Sequence, residues 1–364
     1  MCDCLHIALM TNNIFLKIIL FPFSLIYGTV IVIRELLYKA DLLRGVSFDI
    51  PVISVGNLSV GGTGKTPHIE FLIRLLSPYI QIGTLSRGYK RKTSGYRVVN
   101  EFDSSLDAGD EPLQIKRKFK DVFVAVCENR VFAIPKMLIT KPDLQTILLD
   151  DAFQHRQIIP GLNILLTQHS RPFFKDFLLP SGSLREFPES YKRADVIIVT
   201  KCPDKLSLDD AEKFTKSLRP FSHQKVFFSK FKYRRPYFWF NPSFSYNLKE
   251  DTDVLLISAI ANSDYLVDFL HANVNSIEML EFRDHHYFKE EDMRAIHSLF
   301  RSMKSENKII LTTEKDAGRL ELFRSFFIEN QLPLVVLPVE VEFCLDQQAE
   351  FEQYIKDYLL SFKR

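Results

Sequence analysis

The sequence predicts an α/β protein: a doubly wound core, a second and smaller α/β domain after it, and an apolar helix in front. Three observations carry that expectation. Past residue 50, short apolar runs rich in β-branched residues alternate with amphipathic stretches, the pattern of parallel strands covered on both faces by helices. Around residues 225–245 the texture changes to interleaved aromatic and basic residues, and a second α/β series begins near Val254. Ahead of both, Ile18 to Ile33 runs sixteen residues without a charge.

The totals agree with two domains. A chain of 364 residues is long enough for that at roughly 150 residues per domain. The 47 Lys and Arg against 45 Asp and Glu leave a formal charge of +2. That balance argues against a nucleic-acid protein working through bulk basicity and against a disordered polyelectrolyte. Cys2, Cys4, Cys127, Cys202 and Cys344 are scattered and form no CxxC pair, so a reduced setting with inert thiols is expected rather than zinc or redox chemistry. Phe is in excess, 32 copies against one Trp. The excess fits either heavy cores or apolar surface facing something greasy, and composition does not decide between them.

The N-terminal run is too short for a spanning helix, which wants about 20 apolar residues, and it contains Pro22, Ser24, Gly28 and Thr29. A basic leader and a small-residue cleavage site are both missing, so it is not read as a signal peptide. Two readings remain: a buried core helix, or a helix docked into one leaflet with Lys17, Arg34, Lys39 and Arg44 near the headgroups. Met10 offers a second start that leaves the run intact.

Strands are expected at 52–55, 80–85, 122–126, 146–149, 162–166 and 196–199, with helical patterns between them, such as 67–76. Residues 225–228 read as a strand and 237–240 as an aromatic run. Further strands are expected at 254–257 and 309–312, an extended segment at 333–343, and a closing amphipathic helix at 347–362. The domain boundaries that follow are 1–45 for the N-terminal helix region and 46–228 for the core. The smaller domain takes 229–345, and 346–364 is a terminal helix that can pack back on the core.

The strongest motif follows the first strand. Ser59, Val60, Gly61, Gly62, Thr63, Gly64, Lys65 and Thr66 form a glycine-rich turn running into a helix, with Pro67 in its first turn. Glycines let backbone N–H groups turn toward phosphate oxygens at a helix N-terminus. Lys65 is expected on the β- and γ-phosphates and the Thr66 hydroxyl on Mg²⁺. Ser59 stands where the strict pattern has Gly. A second motif ends the strand at 146–149 with Asp150 and Asp151, as a nucleotide fold presents carboxylates to a cation; a helix cap after a buried strand is the alternative. His155, four residues on, suits a structural role equally. Asp110 and Glu111 lie between Gly109 and Pro112, by themselves a turn and helix start. Beside a nucleotide site, Asp110 becomes a candidate base and Glu111 a candidate metal ligand.

In the second domain Asp284, His285 and His286 are adjacent, as for a carboxylate orienting an imidazole, a metal site, or a polar loop. Thr312 to Asp316 reads as a strand end followed by a capped helix. The basic segments 87–97 (Arg87, Lys90, Arg91, Lys92, Arg97), 116–120 and 230–235 read as solvated faces that also suit an anionic or membrane-embedded partner. Thr200, Lys201 and Asp204 only partly match a guanine-reading motif, because Pro203 stands where Asp is needed.

Taken in order, Val55–Pro67, Leu85–Tyr89, Gly109–Pro112, Asp150–His155, Leu179–Glu186, Arg193–Asp195, Phe282–His285 and Thr312–Asp316 resemble the tetraacyldisaccharide 4'-kinase family of lipid A biosynthesis. Ser59 is itself family-like. The resemblance covers about residues 12 to 345. It implies a membrane-associated kinase, a phosphotransferase with an alcohol acceptor, whose two α/β domains are joined by a two-stranded hinge at 225–233 and 333–343. ATP and Mg²⁺ are the implied cofactors, and the product is lipid IVA. Asp110 and His285 map onto the family's acid–base pair, with His286 an open alternative. Its metal ligands map onto Thr66, Glu111, Asp150 and Asp151. The implied partners are an acylated glucosamine disaccharide phospholipid and the inner-leaflet membrane surface, with no nucleic acid. The chain is expected to act as a monomer, peripheral or monotopic, at the cytoplasmic face of a bacterial inner membrane. The competing readings are an NTPase driving assembly or export of a partner, and a nucleotide sensor without turnover.

Overall fold

The structure is a computed structural model that describes residues 14–260 and 263–362; Cys2, Cys4 and Met10 lie outside the described residues. Its first half runs α1 (Ile14–Lys39), β1 (Val52–Asn57), α2 (Lys65–Leu76), β2 (Ile82–Ser86), β3 (Arg97–Val98), α3 (Ser105–Ala108), α4 (Asp110–Lys118), β4 (Phe123–Val126), α5 (Arg130–Thr140), β5 (Thr146–Asp150) and β6 (Leu162–Gln168). There follow β7 (Val196–Thr200), α6 (Leu208–Leu218), β8 (Lys225–Tyr233), β9 (Tyr237–Phe238), β10 (Asn241–Ser245), β11 (Asp253–Ser258), α7 (Asp264–His271) and β12 (Ser276–Glu281). The chain ends with α8 (Glu290–Ser302), β13 (Lys308–Thr313), α9 (Glu314–Leu320), α10 (Arg324–Glu329), β14 (Leu334–Leu337), β15 (Val339–Phe343) and α11 (Gln348–Ser361).

Two sheets result, of nine strands in the order β15-β8-β7-β6-β1-β5-β2-β4-β3 and six in the order β10-β9-β14-β13-β11-β12. In the first, every pair from β8 to β4 is parallel and only the edge strands β15 and β3 are antiparallel. The central strands β1, β5 and β7 are buried at every position, which is why they read as unbroken apolar runs. Against them α2 lays Ile69, Leu72, Ile73 and Leu76, all buried, at the spacing of one helical face. In the six-stranded sheet β12, β11, β13 and β14 are parallel. The sequence gives no strand signal for β12, because as an edge strand its residues are exposed or half-buried and alternate with Glu278 and Glu281.

The chain crosses between the sheets twice, and proline marks both crossings. The segment 333–343 is two strands, not one: β14 pairs with β13 in the smaller sheet, Pro338 interrupts, and β15 pairs with β8 in the larger one. Pro236 separates β8 from β9 in the same way; proline has no N–H to give a ladder. Lys225–Tyr233 is therefore a single nine-residue strand rather than a short strand and a loop. Its basic residues, and Arg234 just after it, are ion-paired at the surface: Lys230 pairs with Asp204 at 3.1 Å, Lys232 with Glu342 at 2.9 Å, and Arg234 with Glu340 at 2.5 Å. α11 returns to the larger sheet, where Phe351 and Ile355 join Phe227 and Phe343 in its core.

The fate of α1 overturns the buried-core reading. From Phe15 to Lys39 only Ser24 and Gly28 are buried, and Phe15, Ile18, Ile19, Phe21, Phe23, Leu25, Ile26 and Val30 are each at least half exposed. Ser24 donates to the Leu178 carbonyl at 3.1 Å, Tyr27 donates to the Arg185 carbonyl at 2.9 Å, and Arg34 pairs with the buried Glu186. Arg34 thus points into the protein and not toward a headgroup layer. The Phe excess divides accordingly, part in the cores and part on this helix.

Candidate active site

A cavity of about 1380 Å³ lies between the two sheets. Both sheets face it with the same end. From the larger one come the loop after β1, Arg87 after β2, Asp150 and Asp151 at the end of β5, and Lys201 after β7; from the smaller one come Ile260 after β11, Arg283 to His286 after β12, and Lys315 after β13. The carboxyl ends of parallel strands are where open α/β sheets bind ligands, and here two such edges confront each other.

The phosphate loop occupies one wall. Val60, Gly61, Gly62, Thr63, Gly64, Lys65 and Thr66 all line the cavity, while Ser59 forms an isolated bridge to Leu184 at the loop's base. Gly64 caps α2 with φ +92, and a Cβ there would stand 2.8 Å from the Phe231 ring, so both backbone and space demand glycine. Beneath the loop His68 is buried between the Gly64 carbonyl at 2.7 Å and Ser229 Oγ at 3.1 Å. Burial pushes its pKa down to about 4, so a neutral ring ties the loop to crossing strand β8. Lys65 Nζ donates to Asn57 Oδ1 at 3.2 Å and lies 3.6 Å from Asp151 Oδ1.

The four expected metal ligands line the same cavity, in different electrostatic settings. Asp150 is buried, its Oδ1 lacks any hydrogen-bond partner among the described residues, and burial with repulsion from Asp151 pushes its pKa up to about 7. Burial would also raise Asp151, but Lys65 and Arg185 hold its carboxyl below the usual range, with Arg185 Nη1 at 3.0 and 3.1 Å. Glu111 opposes burial in the same way: Lys315 and His285 bring it down to about 2. A buried carboxylate with an unsatisfied oxygen, next to a second carboxylate in a cavity that Thr66 also lines, suits a hard cation. Among the described residues no group of three His, Cys, Asp or Glu forms a closed metal cage, and Mg²⁺ needs none, because it is commonly held by one or two carboxylates and substrate phosphates.

Asp110 enters from the first turn of α4. Gly109 precedes it at φ +93, and a Cβ there would stand 3.0 Å from Gly88 Cα; that close backbone approach sets the 87–91 loop beside Asp110. His285, in the left-handed region at φ +58, donates from Nδ1 to Asp110 Oδ2 at 3.1 Å. His286 turns away, bonding Asp292 at 2.8 Å and stacking on Phe282. The imidazole that meets Asp110 is His285. His155 lines the cavity with Nε2 unpartnered among the described residues, and burial with the charges of Arg130 and Arg87 takes its pKa down to about 4.

Further contacts hold the walls together. Lys315 Nζ lies 3.1 Å from Glu111 Oε1, Lys118 Nζ donates to Glu314 at 2.8 and 2.9 Å, Lys90 Nζ donates to the His285 carbonyl at 3.2 Å, and Tyr265 donates to the Lys201 carbonyl at 2.7 Å. Thr313 caps α9 through the Asp316 N–H, so the expected capped helix is present, and it also delivers Glu314 and Lys315 to the cavity. Sequence reasoning missed that role, along with Arg185 and Arg319, whose Nε lies 3.5 Å from Asp110 Oδ2. Basic residues flanking an acidic motif carry no local signal of which carboxylate they will meet.

One wall can thus hold a triphosphate while the other brings an imidazole onto a carboxylate of the first, an arrangement that defines a P-loop phosphotransferase. Comparison identifies which kind. The chain belongs to the tetraacyldisaccharide-1-P 4'-kinase family, whose model matches residues 16–360. It is 42% identical over 352 residues to the tetraacyldisaccharide 4'-kinase of Bacteroides thetaiotaomicron, covering 93% of this chain and 92% of that one. With the enzyme of the same name from Flavobacterium psychrophilum it shares 41% over 349 residues, 95% and 98% of the two chains. The crystal structure of "apo" form LpxK from Aquifex aeolicus in complex with ATP is similar with a TM-score of 0.70 at 27% identity, covering 94% of this chain and 99% of that one.

Proposed function

We propose that the protein transfers the γ-phosphate of ATP to the 4'-hydroxyl of a tetraacylated glucosamine disaccharide 1-phosphate, giving lipid IVA. The observation that carries the site reading is the Asp110–His285 hydrogen bond of 3.1 Å, made between a buried Asp110 and the His285 that lines the cavity with the phosphate loop. Lys65 and the loop N–H groups from Val60 to Thr66 hold the phosphates. Thr66, Glu111, Asp150 and Asp151 are the residues that would hold Mg²⁺, which supplies charge neutralisation on the triphosphate when bound. Asp110 takes the hydroxyl proton as the 4'-oxygen bonds to the γ-phosphorus and the bond to the β–γ bridging oxygen breaks. His285 keeps the Asp110 carboxylate oriented for that transfer. Closure of the second domain over the bound substrates would exclude water and limit loss of phosphate to hydrolysis.

The acylated substrate lies at a membrane surface in this reading, with the exposed apolar face of α1 docked into the inner leaflet on the cytoplasmic side. Arg87 and Lys90, exposed at the cavity wall, suit its anionic sugar headgroup. The chain is proposed to act as a monomer. The test is incubation with γ-labelled ATP and tetraacyldisaccharide 1-phosphate in mixed micelles. Label in the lipid supports the kinase. Free phosphate with unlabelled lipid would favour a partner-driving NTPase, and no turnover of ATP would favour a sensor.

A further inference from the structure

The apolar helix α1 has a second, polar face, and the groups that face touches lead to the phosphate loop. Ser24, Tyr27, Gly28 and Arg34 recur at helical spacing along one side of it. Ser24 is buried; its Oγ donates to the Leu178 carbonyl at 3.1 Å and accepts the Ser181 N–H at 3.0 Å. A turn later Tyr27 donates to the Arg185 carbonyl at 2.9 Å, and a Cβ on Gly28 would stand 3.1 Å from the Phe187 ring. Arg34 pairs with one oxygen of Glu186, a carboxylate only 1% exposed whose other oxygen pairs with Arg193. All of these contacts fall on one short segment, residues 178–187.

That segment holds the start of the loop. Leu184 bridges Ser59, the Val60 N–H donates to the Ser183 carbonyl at 2.8 Å, and the Arg185 N–H donates to the Leu58 carbonyl at 2.7 Å. The Arg185 side chain reaches Gln154 Oε1 at 3.3 Å, and Gln154 donates to the Asn57 carbonyl at 2.7 Å. Residues 57 to 60, from which the glycine turn springs, are therefore bonded to a strip that α1 holds in turn. The turn itself cannot set its own course. Gly61 has φ +109 with nothing within 4 Å of where a Cβ would be, and glycine is the residue freest to leave such a conformation. The course is fixed at the ends: by residues 57–60 on one side, and on the other by His68, which joins the Gly64 carbonyl to Ser229.

We propose that Ser24, Tyr27 and Arg34 are positioning residues for the nucleotide: acting through residues 178–187, they fix the start of the phosphate loop, so that α1 braces the ATP site. None of the three touches ATP or the acceptor. A helix that serves only as an anchor needs only its outward apolar face. On α1 the inward face adds a buried hydroxyl, a phenol and a guanidinium, each bonded to the strip that carries the loop. This rests on the loop as the ATP site, and the first measurement reads the loop without ATP.

Amide hydrogen exchange on the full-length protein in detergent, without nucleotide, compares peptides covering residues 57–66 with peptides covering β11 and β13 of the smaller sheet. In the double variant Ser24→Ala, Arg34→Met, exchange at 57–66 should quicken about tenfold, the scale of one lost hydrogen bond to a charged group, with β11 and β13 unchanged. The Kd for ATP with Mg²⁺, read by calorimetry on the same preparation, should rise by a similar factor. Arg34→Lys, which keeps a cation on Glu186, should bind ATP nearly as wild type does. Tyr27→Phe removes one hydrogen bond and almost no volume, so it keeps the test open should the double variant not fold; it should shift both readings the same way by about threefold. Wild-type exchange at 57–66 in these variants would overturn the proposal. Equal acceleration in β11 and β13 would do so too, since it would report general loosening. A raised KM for the lipid acceptor, with loop exchange and ATP Kd unmoved, would leave α1 an anchor only. Failure of the wild type to bind ATP would remove the nucleotide reading instead, while the exchange comparison still decides the brace.

Discussion

The two sheets meet the cavity with the same end of parallel strands but bring opposite kinds of chemistry. The larger sheet offers a contiguous loop whose glycines and Lys65 receive phosphate, with Asp150 left as a buried carboxylate lacking a partner for Oδ1 among the described residues. The smaller sheet offers groups already engaged with partners across the cavity: His285 with Asp110, Lys315 with Glu111, Glu314 with Lys118. The first wall is unsatisfied and so built to receive a charged ligand. The second is satisfied and so built to hold acid–base groups in place. Substitutions in the loop should therefore affect ligand holding, and those at the Asp110–His285 contact the geometry of proton transfer.

The largest effect is expected on the receiving wall. Lys65→Met should lower turnover by roughly 10³-fold, the scale of removing one donor from a developing charge, with weakened ATP binding in the same titration. Gly109→Val comes next. The φ of +93 and the 3.0 Å approach to Gly88 leave no room for a side chain, and an ångström of displacement at Asp110 costs about 10²-fold in turnover. Its ATP affinity, read by calorimetry, should stay near wild type; a parallel loss would erase the distinction between phosphate-holding and proton-removing groups.

How much of this was legible follows from distance along the chain. The loop from Ser59 to Thr66 could be read because its function lies in consecutive backbone groups, and the strand pattern around it because parallel strands are apolar throughout. Asp110 and His285 lie 175 positions apart, and only topology brings them together; the resemblance named them, while their spacing said nothing. The charges of 230–235 read as a solvated face, and Lys232, Arg234 and Arg235 are exposed; what was not legible is the pairing of the first two with Glu342 and Glu340, on a strand about a hundred residues later. The place of α1 was illegible for another reason: apolar nearly all round, it carried no amphipathic stripe to separate core from membrane surface.

Glu314 sharpens the comparison through stability. Burial and the neighbouring Glu70 push its pKa from an ordinary 4.5 up to about 7, against the pull of Lys118. The native protein therefore binds a proton that the unfolded chain has released between those values. That contribution is fully present below pH 4.5 and is lost as pH rises through about 7. Glu314→Gln, which cannot ionise, should gain on wild type across that window by at most about 3 kcal/mol, seen as thermal midpoints that diverge from pH 5 to 8. Parallel midpoints would mean Glu314 is ionised throughout.

The smallest effect on the fold belongs to α1. Ile19→Asp and Ile26→Asp alter exposed positions and should change stability by less than about 0.5 kcal/mol, yet cut cosedimentation with anionic vesicles several-fold. Undiminished vesicle binding would take the helix out of the membrane role.

The central claim is that phosphate holding and proton removal are done by separate groups, the loop after β1 and an Asp110 carboxylate on α4 that His285 holds from the facing wall. Asp110→Ala tests it most directly, with lipid phosphorylation and ATP affinity measured on the same preparation. The expected result is a fall in kcat of about 10² to 10⁴-fold with the ATP Kd within about threefold of wild type. Turnover near wild type, or loss of ATP binding alongside turnover, would contradict it.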